Sequence, residues 1–134
     1  MSSLAARVDA VRRFTRFYTL YAGVLHRRLL NSPYSLTEAR VIYELAHHET
    51  ATAAELAGEL NLDSGYLSRI LKGFEKQGLI ARRPSENDGR ASLLSLTEAG
   101  EAAFAELNAR SRAETAAKLE RLSEVEQGEV VEAM

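Results

Sequence analysis

The run Asn61-Leu62-Asp63-Ser64-Gly65-Tyr66-Leu67-Ser68-Arg69-Ile70-Leu71-Lys72-Gly73-Phe74-Glu75-Lys76-Gln77-Gly78 decides the fold. Asp63 is a good N-cap, because its carboxylate can accept from first-turn amides that have no partner inside a helix. Leu67, Ile70, Leu71 and Phe74 recur at i, i+3, i+4 and i+7, which predicts a helix from Ser64 to Gln77 with one buried stripe. Gly78 follows the last turn, where a left-handed residue ends a helix at least cost. Off the stripe stand Ser64, Gly65, Tyr66, Ser68, Arg69 and Lys72, which are small, hydroxylic, aromatic or cationic.

The flanks agree with this reading. Thr52-Ala53-Ala54-Glu55 is a capping box that opens a short helix with Leu56, Ala57 and Leu60 inward, and Asn61-Leu62 makes a tight turn. Before it, Asn31-Ser32-Pro33-Tyr34 breaks the chain, and Ser35-Leu36-Thr37-Glu38 is a second capping box. Its helix runs through Ala39, Ile42, Tyr43, Leu45 and Ala46 to His47-His48. After Gly78, a short strand from Leu79 to Arg83, a turn from Pro84 to Gly89 and a second strand from Ala91 to Leu96 read as a β-hairpin.

Toward the ends the chain is helical. Leu4 to about Arg28 reads as one long helix with an apolar stripe of Phe14, Phe17, Tyr18, Tyr21, Leu25 and Leu29. The stripe is wide for a terminal helix, so a second chain can cover part of it. Thr97 caps another long helix through Ala102, Phe104, Leu107, Ala116, Leu119 and Leu122, and the capping box Ser123-Glu124-Val125-Glu126 starts a last one. The fold class is therefore mainly α with a small β-hairpin wing, a winged helix-turn-helix.

Composition narrows the function. The chain has 134 residues, 17 Lys plus Arg, 19 Asp plus Glu and no Cys. That length suits one domain, and the lack of Cys removes disulfides, thiolate metal sites and a Cys nucleophile. At 46% hydrophobic and 27% charged, the chain is neither disordered nor membrane-like. No apolar run approaches the ~18 residues of a membrane span, and Met1 to Arg7 lacks the pattern of a secretory signal. These features lead us to expect a soluble, cytoplasmic protein.

The charge is uneven. Six Arg face one acid between Arg7 and Arg28, six cations face four acids between Asp63 and Arg90, and four cations face nine Glu from Thr97 to the end. The small net charge of −2 argues against a nonspecific polyanion binder while leaving room for a local basic face. An enzyme reading lacks a nucleophile with its base or a paired carboxylate motif. Of the three His (26, 47 and 48), His47 and His48 are adjacent and diverge by ~100° on a helix, so they cannot share a metal as an i, i+4 pair could. Neither a metal nor a cofactor is expected.

The helix order predicts chemistry. The second helix of such a pair enters the DNA major groove and presents its N-terminal side chains to base edges. Arg69 can bond guanine O6 and N7 in bidentate fashion, worth ~1–3 kcal/mol of discrimination. Ser64 and Ser68 can bond phosphate or bases, Tyr66 can stack, and Lys72 and Lys76 suit phosphates. Arg82 and Arg83 stand on the first hairpin strand. Arg90, just past the turn, can enter a narrow minor groove with Asp88 directing its guanidinium. Three other readings stay open: an ordinary solvated helix face, a winged helix that binds protein, and an interfacial first helix on a membrane surface. Dimer packing accounts for the aromatic stripe without lipid, so no membrane is expected.

The segments Asp63 to Leu71, Phe74-Glu75-Lys76-Gln77-Gly78-Leu79-Ile80, Asp88-Gly89-Arg90 and Leu94-Ser95-Leu96-Thr97-Glu98-Ala99-Gly100 together resemble the MarR family of winged-helix transcription regulators. The likeness covers about residues 10 to 134. It implies one domain over 1–134, with a DNA-binding lobe at about 35–97 and dimerisation helices at about 4–30 and 98–134. It also implies a homodimer on a pseudo-palindromic operator, with Ser64, Tyr66, Ser68, Arg69 and Lys72 facing the major groove and Arg90 the minor groove. A small aromatic or anionic effector would bind where the dimerisation region meets the DNA-binding lobe, lined by Phe14, Tyr18, Tyr21 and His26. More narrowly, Arg12 to Tyr18, Ser35 to Leu45 and Leu62 to Arg69 look like the MarR-type half of proteins that carry a C-terminal GNAT acetyltransferase domain. The glycine-rich acetyl-CoA loop of that domain is absent here, so its activity does not carry over.

Overall fold

Short-range capping chemistry sets most of the helix starts. The computed structural model describes residues 3–19, 32–86 and 91–134, with the side chains of 16–19 outside that set. In chain order the elements are α1 (Leu4–Thr19), α2 (Leu36–Ala46), α3 (Ala53–Leu60), α4 (Ser64–Lys76), β1 (Ile80–Pro84), β2 (Ser92–Leu96), α5 (Glu98–Glu120) and α6 (Glu124–Ala133). Ser35, Thr52 and Ser123 each accept from the amide three residues on, while Glu38, Glu55 and Glu126 reach back to the cap amide. Asp63 caps α4 through the Tyr66 amide at 2.9 Å. Each such cap is worth about 1 kcal/mol.

Two left-handed residues turn the chain around the central helix. Asn61 has φ 52° and lets α3 pass into α4 within three residues. Gly78 has φ 77° and closes α4, a backbone state that costs glycine nothing and a side-chain-bearing residue about 1 kcal/mol or more.

The core gathers one face from each element of the helix-turn-helix. Val41, Ile42 and Leu45 of α2 meet Leu56 and Leu60 of α3 and Leu67, Leu71 and Phe74 of α4, and Leu94 of β2 closes the cluster. Each fully buried side chain of this size contributes roughly 1.5–3 kcal/mol. Tyr34 packs edge-on to Phe74 at 6.3 Å. Burial raises its phenol above the usual tyrosine range, with the Glu106 and Glu38 carboxylates adding to the shift.

The hairpin is antiparallel, with Ile80 opposite Leu96, Arg82 opposite Leu94, and Pro84 opposite Ser92. Ala51 adds a one-residue bridge to Leu94, with N–H···O distances of 3.0 and 2.7 Å in the two directions. The sequence reading does not contain this bridge, because a single paired residue has no periodicity. Thr97 joins the far end of the hairpin to α4: its hydroxyl accepts from the Gly100 amide at 3.1 Å and donates to the Gly78 carbonyl at 2.5 Å.

Several expectations need correction. The first strand starts one residue later than expected and ends at Pro84. Tyr43 is not interior but 51% exposed, while Ala102 and Ala116 lie in solvent on α5 and Ile70 is half-buried. The first helix is described to Thr19, and its expected continuation to Arg28 lies outside the described residues.

Candidate nucleic-acid interface

Helix α4 separates two chemistries by spacing alone. Leu67, Leu71 and Phe74, at i, i+4 and i+7, are buried. Gly65, Arg69, Lys72 and Lys76, at i, i+4, i+7 and i+11, form a stripe on the solvent side, and all four are exposed. Ser64 and Tyr66 flank that stripe in the first turn and are exposed, and Ser68 is half-buried. The Arg69 guanidinium lies 5.9 Å from the centre of the Tyr66 ring, within cation–π range. That contact limits the rotamers of both side chains before any ligand arrives. At Gly65 a Cβ would come 3.2 Å from Asp63 Oδ2, so the cap and the bare backbone occupy the same narrow corner.

The hairpin divides its two arginines. Arg82 shares a face of β1 with buried Ile80, and its Nε donates to Glu75 Oε1 of α4 at 2.9 Å. Arg83 points to the opposite face and is exposed. Both arginines stand on the first strand, as expected, and they differ in their surroundings: Arg82 pairs with Glu75 across the hairpin and α4. Asp88 and Arg90, expected at the wing tip, lie outside the described residues.

The expected effector lining divides in the same way. Phe14 is on α1 and 62% exposed. The side chain of Tyr18, and Tyr21 and His26 entirely, lie outside the described residues. The described residues do form a cavity of about 340 Å³ between α2 and α5, lined by Leu36, Ala39, Arg40, Tyr43, Phe104, Leu107, Asn108 and Ser111. Tyr43 stacks on His47 at 4.1 Å, and Phe104 meets both rings edge-on at 6.1 and 5.8 Å. Arg40 at the cavity donates to the Leu60 carbonyl at 3.3 Å. Tyr43 and Phe104 were legible only as members of helix stripes. That they share a cavity depends on how α2 meets α5, a long-range contact.

Two surfaces expose apolar side chains among the described residues. Leu4, Val8, Val11 and Phe14 recur at four- and three-residue steps along α1, and all are exposed. On α6, Val125 and Val131 are 72% and 67% exposed. The α1 residues form one stripe, whereas Val125 and Val131, six residues apart, lie on different sides of α6; an exposed apolar stripe such as that of α1 marks a surface that another molecule covers.

Residues 34–92 match the model of the MarR family. Over 56 residues the chain is 52% identical to an "Organic hydroperoxide resistance transcriptional regulator" of Bacillus subtilis, a stretch covering 42% of this chain and 38% of that protein. The chain thus spans about four-tenths of the length of the curated relatives it matches. Among solved structures, a MarR family transcription regulator, SP03579, superposes with a TM-score of 0.76 at 28% identity, covering 97% of this chain and 84% of that one. A mutant MarR from E. coli complexed with operator DNA has the same fold, with a TM-score of 0.74 at 22% identity over 98% and 95% of the two chains.

Proposed function

We propose that this chain, a member of the MarR family over residues 34–92, is a homodimeric regulator of transcription that reads double-stranded DNA. The observation that carries the reading is the two-faced α4, whose buried leucines fix a solvent stripe of Gly65, Arg69, Lys72 and Lys76. Such a helix in the major groove offers Arg69 to a guanine edge and its lysines to phosphates. Ser64, Tyr66 and Ser68 add first-turn contacts. Arg83 is the hairpin cation left open for the backbone, while Arg82 holds the hairpin in place. Arg90 and Asp88 are the residues we assign to the minor groove.

We assign residues 35–97 to the DNA-reading lobe and residues 4–30 and 98–134 to the dimer interface. The exposed stripe on α1 and the exposed valines of α6 support that division. A dimer then presents two copies of α4 to half-sites about one helical turn apart. The cavity between α2 and α5 is the seat we assign to an effector. Tyr43 and Phe104 suit an aromatic ring, and Arg40 supplies a guanidinium for an anionic group. We read the chain as a binding protein with no reaction of its own, acting in the cytoplasm.

The test is selection from a random library of about 30 base pairs, at two salt concentrations, followed by sequencing. An enriched pseudo-palindrome whose binding weakens steeply with salt is the expected result. No enrichment at either salt would leave a winged helix that binds protein instead.

A further inference from the structure

We propose that Glu44, His48 and Glu59 form a binding site for a divalent transition-metal ion of the zinc class at the junction of α2 and α3. His48 Nε2 lies 3.1 Å from Glu59 Oε2 and 3.8 Å from Glu44 Oε2. One ligand atom from each of the three residues falls within 4.8 Å of the others. In a zinc tetrahedron with bonds of ~2.1 Å, neighbouring ligand atoms are ~3.4 Å apart, and the two observed separations bracket that edge.

Hydrogen bonding alone leaves this cluster incomplete. A neutral imidazole carries one N–H, so Nε2 can serve one of the two carboxylates and not both. Among the described residues, no Lys or Arg pairs with Glu44 or Glu59. Two carboxylates therefore converge on a single nitrogen, an arrangement that a dication satisfies fully. One imidazole and two carboxylates suit zinc-class ions, whereas magnesium and calcium favour all-oxygen sites. Three protein ligands leave one position for water.

The backbone explains why these residues meet. Glu44 stands in the last turn of α2, and His48 lies two residues beyond its end at Ala46, where its amide still donates to the Leu45 carbonyl at 3.3 Å and keeps its ring close to Glu44. Glu59 arrives from the last turn of α3. His47 turns away, with Nδ1 2.7 Å from the Tyr43 carbonyl, so the two adjacent histidines have separate tasks. A bound ion would tie the end of α2 to α3 just before the Asn61 turn into α4. The site is solvent-accessible, with side-chain exposures of 29%, 34% and 43% for Glu44, His48 and Glu59, so the ion needs no entry path.

The experiment is calorimetric titration of zinc chloride into the full chain at neutral pH, in a buffer that does not chelate, beside His48→Ala, Glu59→Gln and His47→Ala. Glu59→Gln keeps the shape of an exposed side chain and guards against a folding artefact, and circular dichroism checks each variant. The expected result is one zinc per chain and a rise in Tm with zinc. Affinity should fall by about tenfold or more in His48→Ala and Glu59→Gln, since losing even an outer partner of a metal site costs 10–100-fold. His47→Ala should bind as the unmodified chain does, and magnesium should not compete. Absent or unsaturable binding, or equal binding by His48→Ala and the unmodified chain, would overturn the proposal.

Discussion

The backbone of Gly100 lies directly against the carbonyl oxygen of Leu79. A Cβ added at Gly100 would collide with that oxygen and come within 3.0 Å of the Leu96 side chain. The contact locks the first turn of α5 onto the end of α4, where Thr97 already ties both through its hydroxyl. Gly100→Ala should therefore destabilise the fold by about 1–3 kcal/mol, the usual cost of overpacking a filled site. Thr97→Ala should cost about 1–2 kcal/mol through loss of the cap. Urea denaturation of both variants checks this, and a Gly100→Ala midpoint equal to that of the unmodified chain would show that the close approach carries no weight.

Arg69 and Arg83 should fail in different ways. Arg69→Ala removes a base-edge donor, so binding to the selected site should weaken by about 1–3 kcal/mol and preference at one base pair should relax. Arg83→Ala removes a backbone contact, so binding should weaken across all sequences and the salt slope should fall by about 1. Arg82→Ala should change the salt slope less than Arg83→Ala, because its guanidinium is already held by Glu75. Fluorescence anisotropy over a salt series separates the three, and identical slopes for Arg82→Ala and Arg83→Ala would refute the division of labour.

The exposed apolar residues on α1 and α6 make the oligomeric state sensitive to one charge on each. Val11→Asp and Val131→Asp place carboxylates in the apolar surfaces assigned to the dimer. Sedimentation velocity should show a dimer for the unmodified chain and a shift to monomer for the double variant. Operator affinity should fall with it, because one protomer fills only one half-site. A double variant that stays dimeric would move the interface elsewhere.

An aromatic carboxylate such as benzoate should bind in the α2–α5 cavity and loosen the grip on DNA. Phe104→Ala and Arg40→Gln should each weaken that binding by about tenfold, a loss of about 1.4 kcal/mol. Ligand-observed NMR reads the affinity directly. Benzoate binding that neither substitution alters would place the effector outside this cavity.

What could be read in advance was what is local. The caps at Ser35, Thr52, Asp63, Thr97 and Ser123 depend on residues three apart, and the left-handed turns at Asn61 and Gly78 on single residues. The stripe of α4 repeats over thirteen residues, enough for its period to declare the inward face. Contacts between distant segments carry no such period. The Ala51 bridge to Leu94 joins residues far apart in sequence. The pairing of Arg82 with Glu75 joins β1 to α4, and no local pattern announces it. Tyr43 sits in a helix pattern that predicts burial, yet the α2–α5 junction leaves it at the edge of a cavity. Glu59 was invisible as a partner of His48 because only the crossing of α2 and α3 brings them together.

The cap of α6 should melt in acid while the core persists. Glu126 accepts from the Ser123 amide at 2.9 Å, and the Ser123 hydroxyl receives the Glu126 amide at 3.2 Å. The Ser123 backbone N–H, with the Ser123 side chain second, holds the Glu126 carboxyl below the usual glutamate range. The folded carboxyl is thus the stronger acid, so the cap's contribution is fully present above the ordinary glutamate pKa. It is lost as pH falls through the lowered folded value. Carboxyl chemical shifts followed by NMR should show Glu126 titrating below the ordinary glutamate range, with the Ser123 amide moving in step. Ser123→Gly removes the hydroxyl and leaves the backbone donor, so the shift should shrink and not vanish. Glu126 titrating within the ordinary glutamate range would mean that the reciprocal cap does not hold in solution, and α6 would then depend on its partner surface for its start.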